Sequence, residues 1–219
     1  MPAYVLRLFT DVYDAAEAAR TLPALNRVLY VVAGSIAVRG GGVAASLDPN
    51  GAWQGSIAPA MVAGKSGARV LRWELARADP VRESGAPACA DSRLTLSQPI
   101  ALPADQVLMR CDRVDFPPGG EALTHVHQGP GIRCLLTGQI RIDTAGHSTH
   151  LNPGNAWFEA GPEPVYAAAS RDTPTGFARV MILPRTCLGR SSIRYVRPED
   201  ADKPKSQKYQ IFTDEFIDP

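Results

Sequence analysis

Histidine, cysteine and surplus charge are all scarce in this 219-residue chain, and each scarcity excludes something. Formal charge is +1, from 23 basic against 22 acidic residues, so the chain offers no field to grip nucleic acid or an anionic membrane. Cys89, Cys111, Cys134 and Cys187 stand far apart with no C-x-x-C pairing, which argues against a secreted disulfide framework and for reduced thiols. No run approaches the roughly 20 apolar residues that a bilayer span requires. The opening segment lacks a basic head, an apolar run and a small-residue cleavage site, and carries Asp11 and Asp14 early. The expectation is therefore no signal peptide and a soluble, cytoplasmic protein. Gly-x-Ser-x-Gly, P-loop and dinucleotide fingerprints are missing too.

What is present is an internal repeat. Residues 11–66 laid over 115–170 without a gap match at 12 of 56 positions, where chance gives about three or four. The matches include Gly34/Gly138, Ile36/Ile140, Gly42/Gly146, Pro49/Pro153 and Trp53/Trp157. Beyond them, Ala68-Arg69-Val70 meets Ala178-Arg179-Val180 if the second copy carries a six-residue insertion. A period near 100 residues is too long for a solenoid or a propeller blade, so the repeated unit is a domain.

Each copy is strand-like. Val28-Leu29-Tyr30-Val31-Val32 is an apolar, β-branched and aromatic run, followed by Gly34 and the alternating Ile36-Ala37-Val38. The second copy repeats the pattern from Ile132 to Leu136, then Gly138 to Ile142. Gly/Pro turns separate the runs, as at Asp48-Pro49-Asn50-Gly51 and Asn152-Pro153-Gly154-Asn155. Short strands at regular spacing predict an all-β sandwich or jelly-roll barrel. Val12 to Arg20, rich in Ala and Glu, competes as a turn or two of helix. The polar, Pro-containing stretch from Arg77 to Ser92 reads as a linker. After Pro184 the chain turns charged, with Tyr209 to Phe212 as a last strand.

The chemistry concentrates between Phe116 and Gly138. His125 and His127 share one face of a strand, because side chains alternate with period two. If that face lines an interior, the two imidazoles converge at chelating separation. The turn, the His-x-His, the apolar strand and Gly138 resemble the first conserved motif of the cupin superfamily. Leu151 to Gly161, with Asn152-Pro153-Gly154, resembles the second. The resemblance covers 107–183 well and 4–75 in degenerate form. It implies two tandem cupin-type jelly-roll β-barrels: 1–76, a connection over 77–106, a second barrel over 107–183 and a C-terminal extension over 184–219.

The resemblance also implies a divalent metal ion (Fe, Mn, Ni or Zn) held by two His, a Glu shortly after and a later His. Counted from Gly138 the Glu position falls on Gly131, and the last His falls on Pro164 or Val165, so only His125 and His127 are supplied. Glu163 first and Glu159 second are the nearby carboxylates that complete a His₂-carboxylate set, with Gln128, Arg133 and Tyr166 as candidates to line the pocket. In the first copy the His positions fall on Thr21 and Pro23, which makes that barrel structural. His147 and His150 read as solvent-facing hairpin residues, Trp53 and Trp157 as core packing, and Cys134 as a packing position like its counterpart Tyr30. Arg133 suits a carboxylate ligand or a subunit rim.

Three readings follow. One is a metal-dependent enzyme of dioxygenase type acting on a small organic molecule in the C-terminal barrel. Another is a non-catalytic small-molecule binding or sensing module that has lost its full ligand set. The third is a metal-free isomerase or epimerase using histidine as acid or base. A homodimer is expected, since exposed edge strands invite pairing.

Overall fold

The structure, a computed structural model, describes residues 4–15, 17–78 and 86–219. The chain divides into two compact units, 1–101 with 218–219, and 102–217.

In the first unit seven strands run in order: β1 (Tyr4–Tyr13), β2 (Arg20–Thr21), β3 (Asn26–Gly40), β4 (Val43–Leu47), β5 (Ala52–Gly55), β6 (Ala60–Arg77) and β7 (Asp91–Ile100). They form an antiparallel sheet of order β4-β3-β6-β1-β7, with β2 on β6 and β5 on β3. The long β3 and β6 bend through the whole unit. The face they enclose buries Leu29, Val31, Ile36, Val38, Met61 and Val70. No helix forms over Val12 to Arg20 among the described residues. Asp11 and Tyr13 are buried in β1 instead, and that tertiary burial overrides the weak helical propensity of the alanines.

The second unit contains β8 (Val107–Phe116), β9 (Glu121–His127), β10 (Gly131–Thr137), β11 (Ile140–Thr144), β12 (His147–Leu151), β13 (Ala156–Glu159), β14 (Val165–Ala169), β15 (Thr175–Pro184), β16 (Ile193–Tyr195) and β17 (Lys208–Ile217). Two five-stranded sheets result, β13-β10-β15-β8-β17 and β12-β11-β14-β9-β16. One cluster joins their inner faces, with Val114, Leu135, Trp157 and Phe177 from the first sheet and Ala122, Ile142, Val165 and Ala167 from the second. Both units are all-β, as the strand pattern predicted, and the two packed sheets of the second are consistent with a jelly roll.

Backbone conformation repeats with the sequence. Left-handed φ values recur 104 positions apart at Gly34 and Gly138 (70° and 71°), Gly41 and Ala145 (56° and 49°), Gly42 and Gly146 (80° and 76°), and Asn50 and Gly154 (63° and 87°). Strand register corrects the alignment further on. Leu29 pairs with Arg72, and Arg133, 104 positions later, pairs with Arg179. Arg72 is thus the counterpart of Arg179, in place of Arg69. The insertion is three residues, taken up in the turns around β14, because β3 and β6 stay paired through two bulges, at Val31/Ala33 and Gly34/Ile36, where the second unit breaks its strands.

One strand lies in a segment expected to be a connection, and the expected last strand at Tyr209 to Phe212 is longer than its core, running from Lys208 to Ile217. β7 lies in the expected linker and pairs with β1, and β17 lies in the expected extension and pairs with β8 in the same way. Both are outer strands, mostly exposed, so neither shows the buried alternation that marks a strand in sequence, and Pro99 is tolerated at such an edge.

Gly138 separates β10 from β11. A Cβ there would lie 2.4 Å from Thr175 Oγ1 and 2.6 Å from the Pro174 carbonyl oxygen, whereas nothing lies within 4 Å of one at Gly146. Both need left-handed φ, so Gly146→Ala is expected to cost about 1 kcal/mol and Gly138→Ala at least about 3 kcal/mol, measured by urea unfolding. Equal costs at the two positions would show that backbone conformation alone sets the requirement.

Candidate functional site

β9 brings both histidines inside. His125 and His127 are buried, and a bulge opposite β14 lets Ala122 face the interior with them. The short β16 runs along the other edge of β9, with Tyr195 opposite His125 and Ile193 opposite His127. His125 Nδ1 stands 2.8 Å from the Leu123 carbonyl. As the donor in that bond it leaves its Nε2 lone pair facing His127 Nε2, 3.2 Å away. Burial pushes both imidazoles down, His127 to about 3 with the Arg133 charge adding to the effect, so both are neutral at physiological pH.

The carboxylate beside them is Glu159, not Glu163. Its Oε2 lies 2.8 Å from His127 Nε2 and 2.7 Å from Arg133 Nη2, and its Oε1 accepts from Trp157 Nε1 at 2.8 Å. Burial alone would raise this acid. The Arg133 charge, His127 and Trp157 together hold it well below the usual carboxylate range. Glu163 is exposed in the turn before β14. Sequence ranking reversed the two, although a signal existed: Trp157 and Glu159 are two apart on β13, so a buried Trp157 carries Glu159 inward with it.

Arg133, on β10, faces the interior at 1% exposure. Its Nη1 donates to the Gly131 carbonyl at 2.6 Å, and burial lowers it to about 10, which leaves it charged. No motif or spacing singles out Arg179, Asp112 or Tyr209. Arg179 on β15 makes a paired contact with Asp112 on β8, at 2.6 and 3.0 Å, and its guanidinium lies 5.6 Å from the Tyr209 ring centroid on β17. These three come from distant strands and share no motif. His125, His127, Arg133, Trp157, Glu159, Arg179 and half-exposed Tyr209 all line one cavity of ≈ 20 Å³, closed below by Phe116, Ile142 and Phe177.

Gln128 and Tyr166 lie elsewhere. Gln128 donates to the Ser191 carbonyl and accepts from Arg194, which fastens the segment around β16. The Tyr166 hydroxyl donates to Glu121 and the ring lines a surface groove with Arg141 and His150. His147 and His150 are exposed on β12. In the first unit Thr21 and Pro23 are exposed. The N–H of buried Leu22 bonds the Pro59 carbonyl, and Pro59 is the counterpart of Val165, which faces His125. An apolar side chain therefore stands where the second unit has its first imidazole.

A divalent ion can be tested against these donors. It would have to sit on Glu159 Oε2 at about 2.1 Å, within about 5 Å of the Arg133 guanidinium. Repulsion there is on the order of 7 kcal/mol at an effective dielectric of about 20. The Glu position of the family motif offers no relief, since a Cβ at Gly131 would lie 2.6 Å from the Val180 carbonyl oxygen and 3.1 Å from Arg133 Nη1. Of the two candidates for the last His position, Pro164 is exposed and Val165 is core. Among the described residues no group of three or more His, Cys, Asp or Glu side chains is arranged to hold a metal. The residues do not fit a resident divalent ion.

What the arrangement leaves unmet is mixed. Arg133 Nη2, Glu159 Oε2 and His127 Nδ1 are buried without an aligned hydrogen bond among the described residues, the 2.7 and 2.8 Å approaches being charge contacts. A metal could satisfy only the acceptors. Glu159→Gln, which strands the Arg133 charge, is expected to destabilise by about 3–5 kcal/mol, and Glu163→Gln by no more than about 0.5 kcal/mol, in denaturant titrations. The reverse order would show that Glu163 holds the interior charge.

No family model and no curated protein matches the sequence. Solved structures do. AerE from Microcystis aeruginosa is similar over 82% of this chain and 88% of its own, with TM-score 0.59 and 12% identity. Ylba from E. coli is similar over 83% and 78%, with TM-score 0.54 and 15% identity. A point variant of oxalate decarboxylase from B. subtilis is similar over 93% and 73%, with TM-score 0.57 and 11% identity. Identities this low speak for fold alone, and the fold agrees with the motif resemblance and the strand order: this chain has the cupin fold.

Proposed function

We propose that the chain is a small-molecule binding or sensing protein of the cupin fold, whose C-terminal barrel receives a polar ligand without a resident metal. The observation that carries this is the mixed unmet set of Arg133 Nη2, Glu159 Oε2 and His127 Nδ1, one donor and two acceptors. Buried polar atoms whose hydrogen-bonding capacity is unfilled are costly even inside an ion pair, and a ligand offering both a donor and an acceptor recovers that cost. Hydroxy acids and amides have that character. A volume of ≈ 20 Å³ holds one polar group the size of a water, such as a hydroxyl or an amide nitrogen reaching in from the mouth. The rest of the ligand lies toward Tyr209, the exposed member of the lining. The first barrel, with Leu22 in place of an imidazole, serves as structural support.

The experiment is calorimetric and thermal titration of the full chain, stripped with chelator, against small hydroxy acids and amides. A ligand at a hundred times its Kd should stabilise by about 2.7 kcal/mol, visible as a higher Tm. The metal-dependent, dioxygenase-type reading makes the opposite forecast. Protein purified without chelators would then hold near-stoichiometric Fe, Mn, Ni or Zn, lost in the His125→Ala/His127→Ala double variant, and that result would sink the binding-module reading.

A further inference from the structure

Gly131 and Arg133 are two apart on β10, so both address the interior face. At Gly131 there is no side chain and no room for one. The Arg133 guanidinium fills the adjoining space, bonded through Nη1 to the Gly131 carbonyl and 2.7 Å through Nη2 from the Glu159 carboxylate. Beside it, His127 Nε2 lies 3.2 Å from His125 Nε2 and 2.8 Å from Glu159 Oε2, each close to the separation of neighbouring donors around one ion. Geometry therefore comes close to a three-donor set, and charge is what spoils it.

We infer that Arg133 is a tethered cation occupying the electrostatic place of a metal ion, and that it is the residue that keeps divalent metals out of this barrel. This rests on the metal-free reading above and adds a residue-level cause to it. A guanidinium fixed to its own strand supplies one positive charge and directional donors, and it cannot dissociate or exchange. The ligand it leaves room for is an organic molecule, because Glu159 is already neutralised. With that charge removed, Glu159 becomes a buried anion flanked by two neutral imidazoles, a donor set that suits Zn²⁺.

The test compares zinc binding by the wild-type chain, Arg133→Met and Arg133→Gln, using competition with a chromogenic chelator and the zinc-dependent change in Tm. Glutamine keeps a donor for the Gly131 carbonyl and guards against a methionine variant too unstable to fold. Wild-type protein should hold no zinc after dialysis. At least one variant should bind about one equivalent, at least a hundredfold tighter, with a Tm raised by zinc or with folding that requires it. Adding Glu159→Gln to that variant should abolish the gain. Zinc-free wild type with no gain in either variant overturns the role given to Arg133 and leaves the binding reading standing. Wild type that itself retains one equivalent of metal overturns both.

Discussion

The ion pair between Arg133 and Glu159 is the interaction on which the C-terminal barrel depends. Both groups are fully enclosed, and each is bearable there only because of the other. A buried pair adds little net stability against a well-packed apolar alternative, yet breaking one leaves an uncompensated charge at high cost. Such a pair is therefore a specifying feature more than a stabilising one. It orients the carboxylate toward His127 and holds Trp157, whose indole packs edge-on against Phe177 at 5.1 Å while its N–H reaches Glu159. Core and site are the same residues viewed from two sides.

The first unit solves the same problem differently. Arg72, the counterpart of Arg179, pairs with Asp11 and Glu74, and Glu74 also takes Arg27, all without exposure to water. Arg27 stands 104 positions before Gly131, so the first unit carries a buried guanidinium at a position where the second has only a glycine. Arg72 also covers the Phe9 ring at 3.9 Å. Closed ionic packing in one copy and a small polar cavity in the other follow from a handful of exchanges on a shared framework: Arg27 against Gly131, Leu29 against Arg133, and Leu22 against His125.

Much of the framework was legible. Gly34 and Gly138 announced the same left-handed turn in both copies, and Val28 to Val32 announced a buried strand through β-branched and aromatic content. Edge strand β7 escaped because its exposed side chains obey no burial pattern, and β17 was legible only over Tyr209 to Phe212. The insertion was misplaced by the chance match of Arg69 with Arg179, where register aligns Arg72. At the site, period two was enough to set His125 and His127 side by side. It could also have chosen Glu159 over Glu163 once Trp157 was taken as buried.

The sequence by itself determined the duplicated all-β architecture and the shared face of the two histidines, because turn conformation and strand alternation are local properties encoded within a few residues. Only the tertiary structure decided what those histidines meet. Arg133, Glu159, Arg179, Asp112 and Tyr209 arrive from five strands, and their charges balance or oppose one another through distances of a few ångströms that no spacing along the chain records. Whether two imidazoles form a metal site or a polar pocket is settled by the charge beside them, and that neighbour is a product of folding.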